Sequence, residues 1–155
     1  MSLKPTSNPS RWQFLVLLLT SLSALLGVAS TPVEARVQAV LIWGTDEAKP
    51  TGKNLKEVDS KLRDRLANVF KWKNYFEVNR QTATLPSSAK VQTIKLSEEC
   101  SVEVKLLPEN VAEVKLIGKG KAMVTRRHSL SKPDALVLAG DDKNKTAWFV
   151  VLNFN

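Results

Sequence analysis

Short stretches with a period of two dominate the pattern of hydrophobic and polar positions after residue 36. Residues 37–43 are almost all apolar and end at Gly44, which is typical of a central strand buried on both faces. The period-two pattern predicts seven further strands, at residues 75–81, 91–96, 102–107, 111–117, 121–127, 135–139 and 146–154. The last is again apolar on both faces, so we expect it inside a sheet and covered by a helix.

One segment has the period of a helix instead. Its apolar side chains recur at steps of three and four residues: Leu55, Val58, Leu62, Leu66, Val69 and Phe70. Asn54 and Glu57 have the spacing of a capping box, and the pattern predicts an amphipathic helix of about four turns. A strand, a helix and then mostly antiparallel strands predict an α+β fold, a two-layer sandwich of one amphipathic helix on one sheet.

Turn-forming residues separate the predicted strands at three places. Residues 108–110, Pro-Glu-Asn, are typical of a hairpin turn. Residues 140–145 separate the last two strands in the same way, and residues 118–120, Gly-Lys-Gly, predict a turn or a bulge. We therefore expect two hairpins in the second half of the chain.

Residues 1–35 have the layout of a cleavable secretory signal peptide. Lys4 and Arg11 precede residues 14–29, which are uncharged and rich in leucine, and small residues follow. These 16 residues are fewer than the roughly 20 of a membrane-spanning helix. We therefore expect a leader that is removed on export.

Cleavage after Ala35 leaves residues 36–155 as a single domain without a transmembrane segment. An earlier cut after Ala29 and an uncleaved N-terminal anchor are the alternatives. The expected location is the periplasm or the outside of the cell. Such a compartment is oxidising and favours disulfides. Because Cys100 is the single cysteine, the sequence excludes a disulfide within the chain and a zinc site built on a pair of cysteines.

Cys100 lies at the start of a predicted strand, and a free cysteine usually behaves as a small apolar residue. We interpret it as a buried structural thiol. A disulfide between two chains and a nucleophile are the alternatives, and the second lacks an obvious base nearby in the sequence.

Composition and charge set wide limits on function. The chain has 155 residues, 43% hydrophobic and 25% charged, which is ordinary for a globular protein and excludes a disordered or fibrous one. The net charge is +8, and +7 remains without the leader. This favours anionic partners, although export argues against nucleic acid.

A basic and aromatic cluster follows the predicted helix. It contains Lys71, Trp72, Lys73, Tyr75 and Phe76. The rings are typical of residues that close the end of a core, and we interpret them mainly so, with the heavy side chains of the domain filling its interior. The alternative is a surface for an anionic polymer or lipid headgroup, formed by Lys71, Trp72, Lys73, Arg80, Arg126 and Arg127.

Motifs that carry chemistry are weak in this sequence. Gly44 and Gly52 are too far apart for a phosphate-binding loop, and Asn54 replaces its Ser or Thr. Asp141 and Asp142 begin a calcium-like spacing that lacks the rest of the loop. His128 is the only histidine and has Ser129 and Asp134 nearby in sequence, but no nucleophile motif accompanies them. We therefore expect no catalytic residue, no metal and no cofactor.

Three stretches, residues 40–45, 70–78 and 136–151, resemble a group of small exported bacterial proteins without an assigned activity. The resemblance implies a bacterial envelope setting and no particular chemistry. The sequence thus favours a non-enzymatic envelope module that contacts another envelope protein. A binder of anionic glycans or lipid headgroups is the second hypothesis, and a small hydrolase using His128 is the third.

Overall fold

The computed structural model describes residues 35–49, 55–87, 90–143 and 146–155, and residues 1–34 of the predicted leader lie outside them. Over these residues the strands are β1 (Arg36–Thr45), β2 (Lys56–Glu57), β3 (Asn74–Thr84), β4 (Val91–Lys95), β5 (Cys100–Leu107), β6 (Val111–Gly118), β7 (Lys121–Ser129), β8 (Leu136–Lys143) and β9 (Thr146–Phe154). The described helix is α1 (Ser60–Ala67). All eight strands predicted from the sequence are present.

Two antiparallel sheets form the described part of the chain. One has five strands in the order β2-β3-β1-β9-β8, and the other has four in the order β4-β5-β6-β7. The predicted α+β sandwich of one helix on one sheet is therefore wrong, because this domain is mostly β. A helix of eight residues is about 12 Å long, too short to cover a broad sheet.

The main core lies between the two sheets. It is formed by inward-facing residues of both sheets, including Val37, Ala39 and Leu41 of β1, Val102 and Val104 of β5, Val114 and Leu116 of β6, and Val150 and Leu152 of β9. β5 and β6 alternate buried and partly exposed residues. On their outer face Glu103 pairs with Lys115 at 2.9 Å. The alternation of buried and partly exposed residues in β5 and β6 thus shows that their sheet has one face in the core and one face in solvent.

A second, smaller core covers the other face of the five-stranded sheet. Val40 and Ile42 of β1 and Phe149 and Val151 of β9 pack there with Leu66 of α1. β9 lies inside the sheet, between β1 and β8. The prediction that the last strand lies inside a sheet is confirmed. The predicted cover by the helix is wrong for one face of β9, which packs in the main core between the sheets. On the other face, Leu66 of the short α1 lies in the same smaller core as Phe149 and Val151.

The helix is much shorter than predicted. Lys56 and Glu57 pair with β3, and the Val58 N–H donates to the Tyr75 carbonyl at 3.2 Å. The N-cap is Asp59, whose carboxylate accepts from the Leu62 N–H at 3.0 Å. Pairing with β3 therefore replaces the first turns of the predicted helix. The predicted cap, Asn54, lies outside the described residues.

The predicted hairpins hold with one change. Residues 108–110 join β5 to β6, with positive φ at Glu109 and Asn110, and the turn at Lys119 and Gly120 joins β6 to β7. β8 extends through Gly140 to Lys143, so four residues predicted as a turn belong to a strand. Where the structure describes the chain, no helix has the length and apolar character to cross a membrane.

Candidate functional site: a tryptophan-lined cavity

The aromatic members of the predicted basic cluster are buried. Trp72, Tyr75 and Phe76 are 6%, 2% and 2% exposed. The structural interpretation of these rings is therefore confirmed, since Trp72 packs over Gly44 in the smaller core. Lys71 and Lys73 are exposed on either side, and the ammonium of Lys71 lies 5.0 Å from the centre of the Trp72 ring.

The remaining predicted basic residues lie on two strands of different sheets, β3 and β7. Arg80 is on the outer face of the five-stranded sheet, where its Nε donates to Glu77 at 3.0 Å and its Nη1 to Gln38 at 2.7 Å. The bond from Arg80 lowers the pKa of Glu77 below its ordinary value. Arg127 lies on the opposite outer face, 3.2 Å from Glu113, and Arg126 is on the inward side of β7. The structure thus does not bring these basic side chains to one surface.

A cavity of about 520 Å³ opens between the two sheets, away from these basic residues. Its lining residues are Leu41, Trp43, Leu55, Val78, Ser97, Glu99, Cys100, Gly118, Lys119 and Trp148. Leu41 and Cys100, both 6% exposed, belong to the main core, whereas Val78 is 46% exposed. The cavity therefore runs from solvent to the edge of the core.

Two tryptophans on neighbouring strands form one wall of the cavity. Trp43 of β1 and Trp148 of β9 are directly opposite in the register of the sheet. Both are only partly buried. The expectation that heavy side chains fill the interior is therefore wrong for this pair, because their indoles line an opening.

The cavity forms where the four-stranded sheet ends. β5 begins at Cys100 and β6 ends at Gly118, which are paired, whereas β1 runs on past Leu41 to Thr45. Gly118 has no side chain to fill the space facing the tryptophans. The five-stranded sheet thus supplies an aromatic wall, and the ends of β5 and β6 and their adjoining turns supply the opposite side.

Two glycines fix the position of the Trp148 indole. A Cβ at Gly140 would overlap this ring, and a Cβ at Gly118 would lie 3.3 Å from its Cζ2 atom. The register of β8 shifts between Ala139 and Asp142, so two residues lie opposite Trp148. This bulge at Gly140 lets the indole lie flat against one strand and reach the other sheet.

Charged side chains occur only at the mouth among the lining residues that the structure describes. Lys119 and Glu99 lie on two adjacent turns, joined by a 2.8 Å bond from the Lys119 N–H to the Glu99 carbonyl. Their side chains are 76% and 70% exposed, with the ammonium 4.0 Å from the carboxylate. The mouth is therefore polar and the interior apolar, an arrangement common in binding sites for small molecules.

Cys100 forms part of the floor of the cavity. It is a free thiol, and burial raises its pKa to about 11. At neutral pH it is protonated, so it is a neutral apolar surface rather than a nucleophile. The predicted burial of this thiol is confirmed.

We expect this thiol to make stability depend on pH in the alkaline range. In the unfolded chain it ionises near pH 9, whereas in the folded chain it keeps its proton up to about pH 11. Its contribution to stability is therefore complete below pH 9 and is lost between pH 9 and 11. Urea unfolding of the wild type and of Cys100→Ala at pH 8, 9.5 and 11 measures it.

Cys100→Ala is expected to be less stable than the wild type at pH 8, with a gap that narrows as the pH rises. The pKa of Tyr75 is also raised by burial, but Tyr75 is present in both proteins and cancels in the comparison. A gap that stays constant from pH 8 to 11 would show that the thiol titrates normally in the folded chain.

The structure gives the histidine hypothesis no support. His128 stacks on Phe154, with ring centres 5.4 Å apart. Its Nε2 atom is buried and makes no hydrogen bond within the described part of the chain. A histidine that acts as a general base needs a hydroxyl group within hydrogen-bond distance of one of its ring nitrogens, Nε2 or Nδ1. The stacking on Phe154 instead places the His128 ring at the rim of the main core.

A second cavity, of about 320 Å³, lies on the outer face of the five-stranded sheet. It is lined by residues 69–72 after the helix, by Ala139 and Gly140, and by Ala147 and Phe149. Val69, predicted to lie on the buried face of a longer helix, is 74% exposed here. This cavity is smaller and offers no pair of accessible indoles.

Comparison with known proteins adds no relative. No family model, no curated protein and no solved structure matches this chain. Among the described residues, no three histidine, cysteine or acidic side chains are grouped as metal ligands would be. The resemblance to small exported bacterial proteins therefore stays a prediction.

Proposed function

We propose that this protein is an exported, non-enzymatic binding module that takes an apolar group of its ligand into the cavity between the sheets. The observation that carries the proposal is the pair of partly exposed indoles, Trp43 and Trp148, in a space of about 520 Å³. Drug-sized ligands occupy sites of about 300–1,000 Å³. A domain without a binding role would gain stability by filling such a space.

The apolar lining separates this proposal from glycan binding. Apart from the indole nitrogens and the Cys100 thiol, the polar side chains of the described lining are Ser97, Glu99 and Lys119, and the last two lie at the mouth. A sugar inside the cavity would leave hydroxyl groups without partners, and each such loss costs about 1–3 kcal/mol. The export that we propose is supported by the pattern of residues 1–35.

Binding of the neutral fluorescent probe N-phenyl-1-naphthylamine tests the proposal. We expect saturable binding to the wild type, with the probe emission shifted to the blue. Val78→Asp places a charge on an exposed wall of the cavity, and we expect it to weaken binding at least tenfold because burying a carboxylate is costly.

Two matched variants serve as controls for Val78→Asp. Val91 is 54% exposed on β4, outside the cavity, and Val69 lines the smaller cavity. Val91→Asp and Val69→Asp are both expected to bind the probe as the wild type does. The absence of saturable binding, or a loss confined to Val69→Asp, would refute a ligand site between the sheets.

A further inference from the structure

The distribution of charge along the cavity indicates what kind of ligand enters it. The far end is formed by Leu41 and a protonated Cys100, and neither carries charge. The charged lining side chains, Glu99 and Lys119, are both at the solvent end. A ligand that matches this gradient has an apolar tail that points to the core and a charged head that stays in water.

The mouth also favours one sign of charge. Glu98, on the turn before β5, is held by Lys95 at 3.2 Å. The turn at Lys119 leads directly into Lys121, the first residue of β7, so the two charged side chains of this short stretch are both positive. Together with the net charge of +7 that remains without the leader, this makes the potential at the mouth favour an anion.

Lys119 can change partners at low cost. Its ion pair with Glu99 is 4.0 Å long and both side chains are mostly exposed, so the pair contributes little. If the anionic head of a ligand takes the place of Glu99 beside Lys119, the Glu99 carboxylate stays in water, because its side chain is 70% exposed. No buried charge then lacks a partner. The backbone bond of Lys119 to Glu99 keeps the turn in place meanwhile.

We infer that the cavity binds a single-chain anionic amphiphile, a free fatty acid, with its hydrocarbon chain along Trp43 and Trp148 and its carboxylate beside Lys119. This inference rests on the proposed function and adds the class of ligand. A chain in an apolar cavity gains about fourfold in affinity for each buried methylene group. Affinity is therefore expected to rise from octanoate to dodecanoate.

Displacement of N-phenyl-1-naphthylamine by three amphiphiles of equal chain length tests the inference. The ligands are dodecanoate, dodecanol and dodecylamine at pH 8 in low salt. We expect dodecanoate to bind about two- to fivefold more tightly than dodecanol, the size of one exposed ion pair, and dodecylamine to bind most weakly. The preference for dodecanoate is expected to shrink in 0.5 M salt.

Lys119→Gln removes the charge that we assign to recognition. This variant is expected to bind dodecanoate and dodecanol equally and to leave the affinity for dodecanol unchanged. Lys121→Gln is the matched control, since Lys121 directly follows the same turn, as the first residue of β7, but does not line the cavity. This variant is expected to keep most of the preference.

The possible results separate the inference from the proposed function. Equal binding of dodecanoate and dodecanol, tighter binding of dodecylamine, or an unchanged preference in Lys119→Gln would overturn the fatty acid while the apolar site stands. If the probe itself does not bind to the wild type, the proposed function fails as well. Preference for vesicles of phosphatidylglycerol with no affinity for dodecanoate would replace the free fatty acid with a membrane surface.

Discussion

Replacement of Trp72 by alanine is expected to lower the free energy of unfolding by about 3–5 kcal/mol, the usual cost of deleting a buried tryptophan. Trp72 is 6% exposed, and its Cδ1 lies 2.8 Å from the position that a Cβ on Gly44 would take. The ring thus closes the smaller core against β1 and against Phe149. Denaturation in urea, followed by circular dichroism, measures the loss.

Lys73→Ala is the matched control for Trp72→Ala, because it removes an exposed neighbour in the same cluster. We expect it to change the free energy of unfolding by less than about 0.5 kcal/mol. A Trp72→Ala protein as stable as the wild type, with weaker retention on an anionic matrix, would return Trp72 to the role of a binding surface.

Gly140→Val is expected to destabilise the protein by about 1–3 kcal/mol and to abolish probe binding. A side chain at this position would overlap the Trp148 indole, and overpacking a fitted contact costs about this much. The indole lies between Gly140 of one sheet and Gly118 of the other, so it is expected to move into the cavity. Urea denaturation and probe titration measure the two effects.

Ala122→Val adds the same kind of side chain at an exposed position of β7 and serves as the control. It is expected to leave both stability and probe binding close to those of the wild type. If Gly140→Val bound the probe normally, the glycine bulge would not be what positions Trp148 and keeps the cavity open.

The sequence pattern predicted the strands well where a strand buries at least one regular face, as β1, β5, β6 and β9 do. Its failure was in grouping them: β1 and β9 are apolar on both faces, whereas β5 and β6 alternate. This contrast is the signal of a central sheet covered on both sides and an outer sheet covered on one. The helical spacing between Leu55 and Phe70 predicts too long a helix. Residues 56–58, which would form its first turn, bond to β3 instead.

The cavity was not predictable from the chain alone. Trp43 and Trp148 are far apart in sequence, and only the register between β1 and β9 places them opposite each other. Long-range register depends on which strands pair, which local pattern does not determine. The local sequence instead points to the basic and aromatic cluster around Trp72 as the candidate binding surface, but the rings of that cluster are buried.

The most direct test of the ligand site is a two-dimensional NMR titration that follows the indole N–H signals of Trp43, Trp72 and Trp148 as N-phenyl-1-naphthylamine is added. Trp43 and Trp148 line the cavity between the sheets, whereas Trp72 lies in the other core. We predict that the signals of Trp43 and Trp148 shift together and saturate, while that of Trp72 does not move. A shift of Trp72 alone, or no shift of any indole, would contradict the account.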